Sequence, residues 1–182
     1  MNTTIGAISV IAAVVFTLVV IAMVRRRRGR NRELQRLMRT VSDDALIDFI
    51  IPNGDGGEIH IDHLLLTGQG LILLDTKDMA GAVFAGDRMD TWSATHAGIR
   101  MTFSNPIPQL QDRAAAISLL APNVPIDSRV LFINDATFPK GHPEQVSTVQ
   151  ALIDDYHRET EDQSAQDFSS AWQTIKAAAQ TA

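Results

Sequence analysis

The chain has 182 residues, a formal net charge of −5 and no cysteine, which suits one domain with a real core plus an appended segment. Without cysteine, disulfides, thiolate metal sites and a cysteine nucleophile are excluded together. The five histidines (60, 63, 96, 142 and 157) show no zinc-ligand spacing, so any bound metal is expected to be a hard cation held by oxygen.

Charge is unevenly distributed. Half of the 16 Lys and Arg lie between Arg25 and Arg39, while beyond Thr40 there are 8 basic against 20 acidic residues, a net of −12. A domain that acidic offers no broad electrostatic footprint for nucleic acid.

In chain order, Met1 to Thr4 carry no side-chain charge, and Ile5 to Val24 are uncharged and rich in Ile, Val and Ala. At about 1.5 Å per residue a helix of that length spans roughly 30 Å, the hydrocarbon thickness of a bilayer. Arg25-Arg26-Arg27-Arg28-Gly29-Arg30 follows the apolar stretch, the reverse of a secretory signal peptide. The pattern predicts a single-pass anchor over 5–24 in the inner cell membrane. Positive residues stay on the cytoplasmic side, so residues 1–4 are exported, 25–32 form a polybasic juxtamembrane segment and a domain over 33–182 faces the cytoplasm. The Arg run rests on anionic lipid headgroups in one reading, at about 1 kcal/mol per basic residue. In the other it is an arm that attracts nucleic acid.

Leu34, Leu37, Met38 and Val41 recur at helical spacing, and Ser42-Asp43-Asp44 breaks the run. Leu46 to Ile51 reads as a first strand, and Pro52 to Gly57 as a turn. Gly57 to Lys77, GEIHIDHLLLTGQGLILLDTK, is the centre of the domain: two apolar strands, buried on both faces, joined at Thr67-Gly68-Gln69-Gly70. Asp62 interrupts the first strand, while Asp75 and Lys77 end the second and share one of its faces. If the strands pair, Asp62 approaches that face too. Two carboxylates and an ammonium beside a buried sheet form a divalent-cation site with a built-in positive group. The alternative is that the acids are simply solvated at strand ends.

Further strands are expected over Gly81 to Gly86, around Trp92 and over Gly98 to Phe103. Asn105-Pro106-Ile107-Pro108 opens a helix to about Leu120, its prolines placed where first-turn N–H groups lack partners. Leu110, Ala114, Ile117 and Ala121 give that helix its apolar face, and Gln109 shares another with Arg113. A strand over Arg129 to Asn134 and helices over about 146–157 and 165–179 complete a single mixed α/β domain. His63 is expected to face away from Asp62, and Trp92 and Trp172 to belong to the core, since aromatics are too sparse for a base-stacking surface.

The order I-D-H-L-L-L, G-x-x-L-L-D-T-K, G-x-V-x-x-G, W, then N-P-x-x-Q resembles the nuclease-related domain, NERD, of the PD-(D/E)xK nuclease superfamily. The likeness runs from about Gly29 to Asn134, and many members of that family are bacterial proteins with a membrane segment. It implies a restriction-endonuclease-like mixed central sheet flanked by helices, with the core over about 33–134 and C-terminal helices over about 146–180. It makes Asp62 the first metal-binding acid, Asp75 the second acid of the signature and Lys77 the signature lysine. Glu33 matches an acid on the N-terminal helix that closes the metal site, although Arg32 stands where the family has glycine. Gln109 matches the glutamine after N-P. The metal expected is Mg²⁺, with Mn²⁺ as its alternative, because Mg²⁺ is held by one or two carboxylates, substrate oxygens and water.

Three functions follow. The first is a membrane-anchored, metal-dependent nuclease acting on DNA or RNA at the cytoplasmic face. The second is a non-catalytic module of the same fold tethered for recognition of a protein partner, which the −12 charge favours. The third is a structural envelope protein.

Overall fold

The computed structural model describes residues 32–160 and 167–181. The expected exported N-terminus, membrane helix and Arg run to residue 31 lie outside the described residues. Among the described residues, no helix is long and apolar enough to cross a membrane.

The chain runs α1 (residues 32–41), then β1 (Asp44–Pro52), β2 (Glu58–Thr67), β3 (Gly70–Lys77), β4 (Gly81–Phe84), β5 (Thr91–His96) and β6 (Ile99–Ser104). After these come α2 (Ile107–Leu120), β7 (Ile126–Phe132), β8 (Ala136–Thr137), β9 (Val146–Thr148), α3 (Val149–Thr160), α4 (Ser169–Ala178) and β10 (Gln180–Thr181). Six strands form a mixed sheet in the order β10-β1-β2-β3-β7-β9, parallel at β3–β7 and β7–β9 and antiparallel elsewhere. The mixed α/β class and the flanking helices agree with the sequence reading. The division into two sheets was not anticipated: β6-β5-β4-β8 form a separate four-stranded sheet.

Each face of the large sheet has its own apolar cluster. Leu64, Leu71 and Leu73 pack with Ile107, Leu110 and Ile117 of α2, Trp172 and Ile175 of α4, and Val83, Trp92 and Ala94 of the second sheet. On the opposite face, Leu65, Ile72 and Leu74 pack with Leu34, Leu37 and Val41 of α1 and Leu152 of α3. Successive residues of β2 and β3 thus serve opposite clusters, so the hairpin reads as an unbroken apolar run. Both tryptophans are buried, as expected of core residues. The β2–β3 turn requires glycine at Gly70, whose φ is +135° and where a Cβ would stand 2.4 Å from the Pro125 carbonyl oxygen.

Three boundaries differ from the sequence reading. The helix expected to start near 146 starts at Val149, because Val146 to Thr148 lie in parallel register with Val130 to Phe132. The Thr148 hydroxyl then accepts the Ala151 N–H at 3.3 Å, a helix N-cap. β7 begins at Ile126 rather than Arg129; Asp127 and Arg129 pair with each other at 2.7 Å, which lets two charged residues sit within the strand. Finally, β10 lies beyond the last expected helix and pairs Thr181 with Phe49. Nearby, the indole N–H of Trp172 donates to Asp44 Oδ2 at 2.8 Å, tying α4 to the start of β1.

A candidate active site where the central hairpin parts

The antiparallel ladder between β2 and β3 ends at His63↔Leu74. β3 nevertheless continues in parallel register with β7 as far as Lys77↔Phe132, so Asp75, Thr76 and Lys77 are paired on one side only. A fork opens there, and the cause is visible in β2. Ile59 and Ile61 pack with the first cluster, as do Leu64 and Leu66, while Leu65 belongs to the second. Two residues, Asp62 and His63, separate Ile61 from Leu64 where strict alternation allows one. In β1 the opposite position, Asp48, has φ +54°, a left-handed conformation that Asp tolerates better than most residues. The face of both strands therefore shifts at the 48/62 position.

Asp62 fills the fork. Its Oδ2 accepts the Thr76 N–H and the Thr76 hydroxyl, each at 3.0 Å, replacing a ladder carbonyl with a carboxylate. Burial pushes the Asp62 carboxyl up, yet the two Thr76 hydrogen bonds and the positive charges of Arg113 and Lys77 outweigh it and hold the group below the usual carboxylate range. His60 flanks the other oxygen: its Nδ1 lies 3.4 Å from Asp62 Oδ1 and its Nε2 is 2.7 Å from Asp48.

Asp75 is 1 % exposed, a costly place for a carboxylate unless it is paired. Lys77 Nζ donates to its Oδ1 at 2.8 Å. Arg113, from α2, donates through Nε to the His60 carbonyl at 2.8 Å and brings Nη1 to 3.3 Å from Asp75 Oδ2. That last approach is an ion pair by distance but has no hydrogen-bonding geometry. Asp75 Oδ2 and Arg113 Nη1 are both buried without a hydrogen-bond partner. Such atoms are rare in folded proteins.

The structure thus brings together Asp62, Asp75 and Lys77. It does not gather Glu33 with them: Glu33 is exposed on α1, whose apolar residues pack on the cluster opposite Asp75's helix partner. Among the described residues, no group of three or more His, Asp or Glu could hold a metal ion. Gln109 is exposed on α2, one turn before Arg113. Asn105 and Pro106 set that helix, the Asn105 side chain accepting the Ile107 N–H at 3.0 Å.

Two members of the constellation were not singled out from sequence. Arg113 was legible only as the residue sharing Gln109's helix face. Thr76 stands between Asp75 and Lys77 in sequence, and its N–H and hydroxyl are the two donors that hold Asp62. His63, expected to be packed away from Asp62, is half-buried with Nδ1 lacking a partner, and burial pushes its pKa down against the pull of Asp62 and Asp48.

The carboxylate chemistry fits a divalent cation in part. Asp75 Oδ2 has unused lone pairs, and Asp62 is held ionised; a third carboxylate is not at hand. Comparison with protein families finds that one described as NERD: Nuclease-related domain matches residues 27–133, more than half of the chain. Comparison with curated proteins and with solved structures gives no match.

Proposed function

The chain belongs to the nuclease-related domain family, and from that premise we propose that it hydrolyses phosphodiester bonds of DNA or RNA with the help of a divalent cation. The observation that carries this reading is the buried, unspent Asp75 Oδ2 beside an ionised Asp62 and two cations. Asp62 and Asp75 would hold Mg²⁺ or Mn²⁺, which when bound supplies polarisation of a phosphoryl oxygen and a more acidic water. The chain's own residues do the rest. Thr76 keeps Asp62 deprotonated by donating two hydrogen bonds. Lys77, whose side chain is 24 % exposed, has N–H groups beyond its Asp75 bond and can donate to the charge that builds on a transferring phosphate. Gln109, exposed one turn before Arg113, is proposed as a substrate contact on that side of α2, while Glu33, exposed on α1 against the opposite cluster, is not assigned to the metal.

We also infer that Ile5 to Val24 anchors the protein in the inner membrane, with Arg25 to Arg30 on anionic lipid and the domain in the cytoplasm. A second reading has its own support. Asp75 already faces Lys77 and Arg113, and the domain beyond Thr40 carries −12, which together suit a tethered recognition module that has dispensed with metal. Calorimetric titration of Mg²⁺ and Mn²⁺ into the full chain in detergent, and into its Asp75→Asn variant, separates the two. The nuclease reading expects binding near one equivalent that the substitution abolishes, and metal-dependent cleavage of oligonucleotides lost in the same variant. Cleavage that survives Asp75→Asn and Lys77→Ala would overturn it.

A further inference from the structure

Eight basic residues lie beyond Thr40. Lys77 and Arg113 meet Asp75, Arg129 meets Asp127 and Lys176 meets Asp44; the side chain of Arg158 is outside the described set. The remaining three, Arg88, Arg100 and Lys140, have no ion-pair partner among the described residues, and all three belong to the second sheet or its connections. Arg88 stands between Asp87 and Asp90 in the β4–β5 turn, where its charge is offset. Arg100 and Lys140 are not so offset. They border a shallow cleft of about 310 Å³ whose other lining residues are Phe84, Met89, Ser93 and Thr95. No carboxylate lines it.

The register explains why these residues meet. Phe84 lies opposite Ser93, and Thr95 opposite Arg100, so all four share one face of the sheet. Trp92 and Ala94 alternate with them and are buried in the core, which leaves the Phe84 face outward. Arg100 Nη2 lies 3.4 Å from Ser93 Oγ, and Lys140 Nζ is 5.9 Å from the centroid of the Phe84 ring, a cation–π distance. The cleft therefore has an aromatic floor, the half-buried Thr95 beside a buried Ser93, and two cations with no ion-pair partner among the described residues, inside a domain that is otherwise strongly acidic.

We propose that this cleft binds single-stranded nucleic acid, with phosphates on Arg100 and Lys140 and a base against Phe84. A positive groove with an aromatic platform is how single strands are held without sequence preference, and stacking requires that the base be free of a duplex. An anionic lipid headgroup would use the cations but not the ring. The exposed aliphatic residues of the edge strand, Ile99 and Met101, alternate with Arg100 and so face away from the cleft. The proposal rests on the reading that the chain meets nucleic acid and names its substrate class: a single strand, guided by a local positive site that overcomes the acidic surroundings.

The test uses the full chain in zwitterionic detergent with EDTA, so that binding is read without cleavage, and a thymidine 12-mer carrying 4-thiothymidine for photo-crosslinking. With EDTA present, binding and crosslinking are read whether or not the catalytic assignment holds, so a failed catalytic assignment leaves this experiment readable. Crosslinks should fall on the peptide carrying Phe84. Arg100→Glu with Lys140→Glu should remove them, weaken binding tenfold or more, and reduce the log–log salt slope by about 1.4, from two contacts at about 0.7 each. The milder pair Arg100→Gln and Lys140→Gln should give a smaller loss in the same direction, with the near-ultraviolet signal of Trp92 reporting an intact fold. Crosslinks confined to the Arg25–Arg39 segment, with affinity and slope unchanged in the double variants, would overturn the proposal. So would loss of binding to phosphatidylserine vesicles while oligonucleotide binding persists.

Discussion

The two halves of β3 are built to opposite rules. From Leu71 to Leu74 every residue is buried, every rung is paired on both sides, and alternate side chains feed the two apolar clusters. From Asp75 to Lys77 the pairing with β2 is gone, the side chains are charged or polar, and a carboxylate from the neighbouring strand takes up the vacant backbone N–H. One half is held by apolar packing and the other by a handful of charge-assisted hydrogen bonds. The difference shows how a sheet can carry a polar site at its centre: the ladder must stop first, so that the N–H groups it releases can fix a carboxylate.

Leu73→Ala strikes the first half alone. Leu73 is fully buried, and deleting its methyl groups leaves a cavity against α2, which should cost about 2–5 kcal/mol of stability. Any metal affinity of the protein that remains folded should be unchanged. Denaturant unfolding together with metal titration checks this; a lost metal site in a folded Leu73→Ala protein would mean that the two halves are coupled and the contrast is misdrawn.

Arg113→Met strikes the second half. It removes a buried cation from beside Asp75 and the hydrogen bond to the His60 carbonyl, but Lys77 still meets the carboxylate, so the expected loss is about 1–3 kcal/mol rather than the larger penalty of an orphaned charge. Metal affinity should move the other way. Unit charges 4 Å apart repel by about 4 kcal/mol at an effective dielectric of 20; relief of even a third of that raises divalent-cation affinity about tenfold. Calorimetry on the variant tests it, and an affinity that falls would assign Arg113 to holding Asp75 in place instead of competing for it.

The regular half was the legible half. Leu71 to Leu74 announce themselves by an apolar run between glycines, and the hairpin, its turn and the α2 start at Asn105-Pro106 follow from local rules that involve few residues at a time. Asp62, Asp75 and Lys77 were also legible, because charges inside an apolar run are costly and so stand out. Arg113 was hidden by distance: it lies 53 positions from the His60 carbonyl it meets, and nothing local tells a buried arginine from a solvated one. The second sheet was hidden for a related reason. Its strands were each visible, but β8 has only two residues and pairs across a long gap with Gly81 and Ala82, so the sequence could not separate one sheet from two. β9 was hidden because its three residues run straight into α3, where a helical reading is equally natural until Val146 is seen beside Val130.

The smallest expected effect concerns His63, which occupies the last regular rung opposite Leu74 and marks the border between the two halves. Burial holds its pKa below the ordinary 6.5, against the charges of Asp62 and Asp48. Between the folded-state value and 6.5 the unfolded chain therefore binds more protons than the folded one, and stability falls as pH is lowered through that window, levelling off below it. Asp62 acts lower on the scale: its folded pKa lies below 3.8, so the stability it contributes is intact above 3.8 and is lost as pH falls through the folded value. His63→Leu should remove the upper limb and leave the lower one, because Leu in that position faces the Leu65 and Leu74 cluster without a buried, unpartnered nitrogen. Thermal melts of the wild type and the variant from pH 7.5 down to pH 3 read both limbs at once. A wild-type loss between neutrality and pH 5 that persists undiminished in His63→Leu would place the proton uptake elsewhere and move the border of the polar half beyond His63 into the regular ladder.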